Sequence, residues 1–356
     1  MSLRVLFFTD GPESPGSRFR CLQFFPHLRA RGIECDVRFA YDERYNDVFA
    51  KPWAAAYKLA GRLRRVAHMV ADGGADLLFL HKTALAVTGL PEWARSLRRT
   101  PIVFDFDDAI YLGPGGAPSL FRRRAFEHAV AAADRVIAGN SHLAEMTSAP
   151  EKTTVIPSVA DTAKYVPSRT HGGGELVVGW IGTASNFPSL RPIIPQVLEA
   201  LGQLPRARLR IVSNGVLPEY ARHPLVEQWR WHEDRERAAL QSFDVGLMPL
   251  VDNELTRGKC GFKMIQYMAT GVPVISSAVG ANVDIFENSQ AGFLVGPEGD
   301  WRRPVVELGR SPELRAKLGA AGREHAVHHY SVASVIDRYV EVLEACAAGP
   351  GARRRG

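Results

Sequence analysis

Short apolar runs bounded by polar or turn-forming residues alternate along this chain with longer stretches in which apolar positions recur every three or four residues. The first pattern predicts buried strands and the second amphipathic helices, so their alternation predicts parallel sheets with crossover helices. In the first half the runs predict strands over 4–9, 34–39, 77–80, 102–106, 135–138 and 154–156. Helical spacing falls between them, over 17–31, 57–71, 84–98, 119–133 and 141–147. A glycine-rich polar stretch at 168–175, SRTHGGGE, then reads as a flexible connection. A second series follows, with strands over 176–180, 208–212, 228–231, 245–248, 274–276 and 292–295. Its helices are expected over 190–204, 235–242, 262–270 and later segments ending near Ala347.

The fold class this predicts is α/β, with two Rossmann-like, doubly wound parallel-sheet domains facing across a cleft. The expected limits are 1–168 and 169–335, with a terminal segment, 336–356, made of the end of an apolar helix and a disordered tail. Ligands of open parallel sheets sit at the carboxyl ends of the strands.

Length agrees with this division, since 356 residues exceed the ~100–200 of one ordinary domain. No segment approaches the ~20 apolar residues of a membrane span. The opening MSLRVLFFTDG reads as a buried first strand rather than a signal peptide. Cys21, Cys35, Cys260 and Cys346 lack C-x-x-C spacing, which argues against a zinc site or disulfide framework and for a reducing, cytoplasmic setting. A formal charge of +6 suits anionic small molecules, membrane surfaces or nucleic acid, but no nucleic-acid module accompanies it. Arginines cluster at 62–65, 95–99 and 122–124 within helical patterns. They read either as solvated helix faces or as a patch for an anionic acceptor or lipid surface at the inner membrane face.

The richest motif is GKCGFKMIQYMATG at 258–271. Phe262, Ile265, Met268 and Ala269 recur at helical spacing, so a helix starts just after Gly261. A helix start offers unpaired N–H groups and a positive dipole end, and Lys259 and Lys263 add two charges. The combination resembles a cradle for a phosphate or diphosphate. Each first strand is also followed by a glycine-bearing turn. The first, DGPESPGSRFR, carries Gly16, Arg18 and Arg20; the second, IGTASNFP, carries Thr183. Asp105, Asp107 and Asp108 follow the strand at 102–106, on the same sheet edge as His81. These carboxylates could serve a metal cluster or a general base, but the usual companion histidines are absent nearby.

The second half resembles the family 4 (group 1) retaining glycosyltransferases, of GT-B fold. The resemblance rests on residues 258–277, VGANVD at 279–284, AGFLV at 291–295 and SFDVGLMP at 242–249. It implies a C-terminal domain that holds a nucleoside-diphosphate sugar and an N-terminal domain that holds the acceptor, with no metal and no further cofactor. By position Lys263 would bind the donor diphosphate, assisted by Lys259 and by backbone at Gly261 and Phe262. Thr183 would lie near the phosphates and Trp231 beside the base. Gly258 and Gln266 stand where many members carry two glutamates; Gln266 can still bond ribose hydroxyls, since an amide both donates and accepts. Asp107 stands where some members have a histidine near the reacting sugar carbon. Asp105 and Asp108 would support its loop or bind acceptor hydroxyls, and Gly16, Arg18, Arg20 and His81 complete the expected acceptor side. The terminal helix would return to the N-terminal domain, as in the resembled fold.

The resulting expectation is a retaining transfer to an acceptor hydroxyl, with Asp107 and Lys263 as catalytic residues and an acceptor that is anionic, lipid-linked or a soluble metabolite. Two rivals remain: a catalytically silent nucleotide-sugar-binding protein, motivated by Gly258, and a nucleotide-sugar epimerase of the same architecture.

Overall fold

The computed structural model describes residues 2–44, 48, 51–70, 74–85, 88–89, 91–92, 94, 100–167 and 174–349. Most of the expected connection at 168–175, much of the helix expected at 84–98, Arg95, Arg98 and Arg99 of the middle arginine cluster, and the tail from 350 lie outside the described residues. The chain divides into two units. One gathers the described residues of Met1–Ser158, Gly258–Cys260 and Val335–Gly356, and the other those of Val159–Arg257 and Gly261–Ser334.

The first unit is built on six parallel strands: β1 (Leu3–Thr9), β2 (Ile33–Phe39), β3 (Leu77–His81), β4 (Ile102–Phe106), β5 (Arg135–Ala138) and β6 (Thr153–Val155). Their order is β2-β1-β3-β4-β5-β6. β3 and β4 are buried along their whole length, as strands covered on both faces must be, which is why they read as unbroken apolar runs. On one face Phe7 and Phe79 pack at 4.8 Å between ring centres, and Tyr339 of the terminal helix Val332–Ala347 stacks on Phe24 at 4.5 Å. Phe104 and Phe106 point to the other face, where Phe126 of the helix Leu120–Ala132 meets them.

The stretch 17–31 is not one helix. It opens as a π-helical turn, Ser17–Cys21, tightens to a 3₁₀ turn, Leu22–Phe24, and becomes α-helical only at Phe25–Arg29. Pro26 accounts for the break: it has no N–H to give to residue 22, and its ring crowds that carbonyl.

The second unit repeats the plan with β7 (Leu176–Ile181), β8 (Ala207–Ser213), β9 (Val226–Arg230), β10 (Val245–Met248), β11 (Val274–Ser277) and β12 (Gly292–Val295). The order β12-β11-β10-β7-β8-β9 is that of the doubly wound nucleotide-binding sheet. Trp180, Leu190, Ile194, Val197, Leu209, Leu247 and Ile275 belong to its core.

Both sheets reverse direction once, between β1 and β3 and between β7 and β10. Loops leaving the carboxyl ends on either side of such a point diverge and open a crevice. In the second unit Tyr267 ties the two sides together, since Ile181 N–H donates to its hydroxyl at 3.1 Å while that hydroxyl donates to the Leu247 carbonyl at 3.2 Å.

Candidate functional site

At the β7/β10 reversal the chain leaves β7 through Gly182 and Thr183. A side chain on Gly182 would come within 2.6 Å of Lys263 Cε and 2.7 Å of Trp180, so the missing Cβ is what lets the lysine stem lie along this turn. Thr183 is exposed and its hydroxyl is 2.8 Å from that of Ser185. Asn214 closes the turn, accepting from Ala184 N–H at 2.9 Å.

Lys263 stands on the first turn of the helix Phe262–Ala269, whose cap, Gly261, has a left-handed φ of 61°. Gly261 and Phe262 therefore present backbone N–H groups beside a lysine at the carboxyl edge of the sheet.

Further along that helix Gln266 is 4% exposed. Its Nε2 donates to the Tyr165 hydroxyl and to Glu236 Oε1, both at 3.2 Å. Tyr165 in turn donates to Glu236 Oε1 at 2.5 Å, and Trp231 Nε1 donates to Glu236 Oε2 at 3.0 Å. A carboxylate only accepts, so Glu236 dictates which way the Gln266 amide faces. Both amide hydrogens are consumed, and the group keeps only its carbonyl oxygen to offer. Gln266 is thus an acceptor, as a glutamate would be, rather than the donor and acceptor expected from its type. Tyr165 and Glu236 escaped the sequence reading because they lie 101 and 30 residues from Gln266.

In the first unit the β1/β3 reversal holds a polar cluster. Arg20 and Asp105, 1% and 0% exposed, form a bidentate pair: Nε donates to Oδ2 at 3.2 Å and Nη2 donates to Oδ1. Arg20 Nη1 also donates to the Ile156 carbonyl at 2.8 Å, and His81 Nδ1 lies 2.7 Å from Asp105 Oδ2. Burial opposes the Asp105 charge, but Arg20 and His81 outweigh it and hold the carboxyl below its usual range. Arg20, Asp105 and His81, expected at an acceptor, are instead spent on one another beneath the surface. A Cβ at Gly16 would overlap His81 Nε2, so the glycine turn forms the roof over this triad.

Asp107 lies outside the triad, its side chain 20% exposed. Burial works against its charge too, yet Lys82, 3.1 Å away, with His81 and Arg20, keeps it low. Lys82 also donates to Asp108 at 2.9 Å. Its backbone is left-handed, φ 63°, and its N–H donates to the Asp105 carbonyl at 2.8 Å. The sequence reading passed over Lys82; its place at the end of β3 was the available signal. Arg65 fixes that strand end, donating to the carbonyls of His81 and Lys82 and to Asp10 at 3.1 Å. This member of an arginine cluster is therefore internal. Arg18 lies over the Phe19 ring, 4.7 Å from its centre.

Gly258, Lys259 and Cys260 pack within the first unit. Asn140 donates to the Lys259 carbonyl at 3.1 Å, the Cys260 thiol donates to the Asp107 carbonyl at 3.2 Å, and Lys259 Nζ is 4.0 Å from Asp108. A side chain at Gly258 would sit 2.8 Å from Ala109 Cβ, which explains why no glutamate stands here. Among the described residues no cluster of three or more His, Cys, Asp or Glu has the geometry of a metal site.

Residues 176–307 match the family described as glycosyl transferases group 1. The matched segment covers a little over a third of the chain and, apart from Gly258–Cys260, lies in the second unit. Whole-chain comparison gives the same architecture. A sucrose-phosphate synthase from Thermosynechococcus elongatus is 16% identical with a TM-score of 0.71, covering 96% of this chain and 98% of that one. The catalytic domain of starch synthase IV from Arabidopsis thaliana, bound to ADP and acarbose, is 12% identical with a TM-score of 0.69, covering 98% and 99%. Anabaena HepE in complex with UDP and glucose is 17% identical with a TM-score of 0.66, covering 96% and 100%. At such identities the likeness establishes the two-domain GT-B fold. Comparison with curated protein sequences gave no match.

Proposed function

We propose that this chain is a group 1 glycosyltransferase that moves a sugar from a nucleoside diphosphate to an acceptor hydroxyl, with retention of anomeric configuration and without a metal. The observation that carries this is the meeting of Lys263, the Gly182–Thr183 turn and the glycine-capped helix start at the β7/β10 reversal, all inside the matched segment. Fixed positive potential at that point favours the charge that builds on the diphosphate as the glycosidic bond breaks. The electron pair of that bond stays on the phosphate oxygen, which then takes the proton of the attacking hydroxyl on the same face. Relatives of the same fold in complex with UDP and glucose, or with ADP and acarbose, support a nucleoside diphosphate as the donor class.

In this reading Gln266 accepts a hydrogen bond from a ribose hydroxyl, Trp231 flanks the base, and Thr183 and Lys259 assist at the phosphates. The first unit serves the acceptor. Asp107, kept ionised by Lys82, supports positive charge at the reacting sugar carbon, and Arg18 and Asp108, both half-buried, are the candidates for acceptor contacts.

The test is a thermal-shift panel of UDP, GDP, ADP and dTDP on wild type and Lys263→Ala, followed by product analysis with the stabilising nucleotide's sugars. A nucleotide at ~100 times its Kd adds about 2.7 kcal/mol to stability. One nucleotide stabilising wild type and failing on Lys263→Ala is the expected result. No shift with any nucleotide overturns the donor site. Binding without transfer favours the silent binder, and a changed sugar without acceptor favours the epimerase.

A further inference from the structure

The helix Ala54–Val70 carries apolar side chains on its outer side as well as its inner one, where Met69 is buried. A surface helix ordinarily hides its apolar stripe and shows its charges. Here the buried positions include Gly61 and Arg65, the latter 4% exposed, whereas Leu59 and Leu63 are 57% and 61% exposed. Ala56, Ala60 and Ala67 are exposed with them, and at helical spacing these positions make one continuous outer stripe. Trp53, 49% exposed, stands at its head. Arg62 and Arg64 flank the stripe, Lys51 stands before it, and no acidic residue occurs between Lys51 and Ala71.

A second point of the same kind lies at the start of the helix Leu120–Ala132. Leu120 and Phe121 are 63% and 69% exposed, followed directly by Arg122, Arg123 and Arg124. In the strand order β2-β1-β3-β4-β5-β6 the connections β2 to β3 and β4 to β5 run the same way across the sheet. Right-handed crossovers therefore set both helices on one sheet face, so their outer sides look the same way. Of the nine large apolar side chains exposed among the described residues, these two places hold five, which makes the pattern local rather than scattered.

We propose that this face of the first unit docks on an anionic lipid surface. The apolar stripe would enter the boundary between headgroups and acyl chains, with Trp53 at headgroup depth and the cations against lipid phosphates. A second copy of the chain fits poorly. Pairing two such stripes would bring the arginines against their own counterparts, with no carboxylate on the helix to offset them. The proposal does not depend on the donor-site reading.

The experiment is co-sedimentation of the full chain with vesicles of phosphatidylcholine doped with phosphatidylglycerol, beside vesicles of phosphatidylcholine alone. Binding to the anionic vesicles only is expected, and it should fade with added salt as the screening length falls from about 10 Å at ~0.1 M to about 3 Å at ~1 M. The double variant Leu59→Asp, Leu63→Asp should bind at least about tenfold more weakly. Because both side chains are exposed, its melting temperature should stay that of wild type. No binding by wild type, or binding that the double variant retains, overturns the proposal. So does a wild-type dimer in sedimentation velocity that the variant abolishes, since the stripe would then belong to a second copy.

Discussion

Asp105 shows how decisive a single buried carboxylate can be for the fold. It is fully buried between Arg20 and His81, so removing its charge strands a guanidinium in the interior. Asp105→Asn should cost roughly 3–5 kcal/mol of stability in chemical denaturation, the usual penalty for breaking a buried pair from one side. Gln266 makes the opposite case. Gln266→Glu would restore the residue type many family members carry, yet it would set two carboxyls within about hydrogen-bond distance of each other at Glu236, and one must then hold a proton. The introduced carboxyl has a raised folded-state pKa, so the variant should match wild type near the ordinary Glu value of about 4.3 and lose melting temperature progressively toward neutral pH. A constant gap across that range would mean that the two carboxyls do not interact.

At the scale of elements, strands were more legible than helices. β4, β5, β10 and β12 match the apolar runs residue for residue; β4 and β10 are buried along their whole length, and a strand covered on both faces leaves an unbroken apolar signature. The segments 17–31 and 190–204 carried helical spacing but are interrupted at Pro26, Pro192 and Pro195, where a missing N–H outweighs periodicity. The helix Phe262–Ala269 was legible from its glycines and lysines. What anchors it was not, since Tyr267 is not among the apolar positions Phe262, Ile265, Met268 and Ala269 from which the helix is read. Tyr267→Phe should cost about 1–3 kcal/mol by leaving the buried Ile181 N–H without a partner. Gly182→Ala should lower nucleotide affinity in the thermal-shift assay by displacing the Lys263 stem, with stability itself changing less.

For the whole molecule, the pH response follows from the first unit's cluster. Asp105 and Asp107 are held below the ordinary Asp value of about 3.9, so their contribution is complete above that value and is lost as pH falls through their folded-state pKa values. Lys82 is raised, although burial opposes its charge, by Asp107 and Asp108; its contribution is complete below about 10.4 and is lost only as pH rises through its folded value. Melting temperature should therefore be insensitive to these groups between about pH 5 and 9 and should drop in acid. Lys82→Met should steepen the drop at the mild end of the acid range, because Asp107 then titrates closer to its ordinary value. Asp107→Asn should lower kcat at least ~10²-fold if it supports charge at the reacting carbon, with nucleotide affinity unchanged.

The sequence by itself determined the alternation of strands and helices, the two parallel sheets, and the glycine-lysine helix start, because each depends on residues close together in the chain. Only the tertiary structure decided the fate of the polar side chains. It turned Arg20 and Asp105 inward onto each other, brought Lys82 to Asp107 across 25 positions, and oriented Gln266 through Glu236 and Tyr165. Local propensity is written in neighbouring residues, whereas the partner of a buried charge is set by which strands the sheet order makes adjacent.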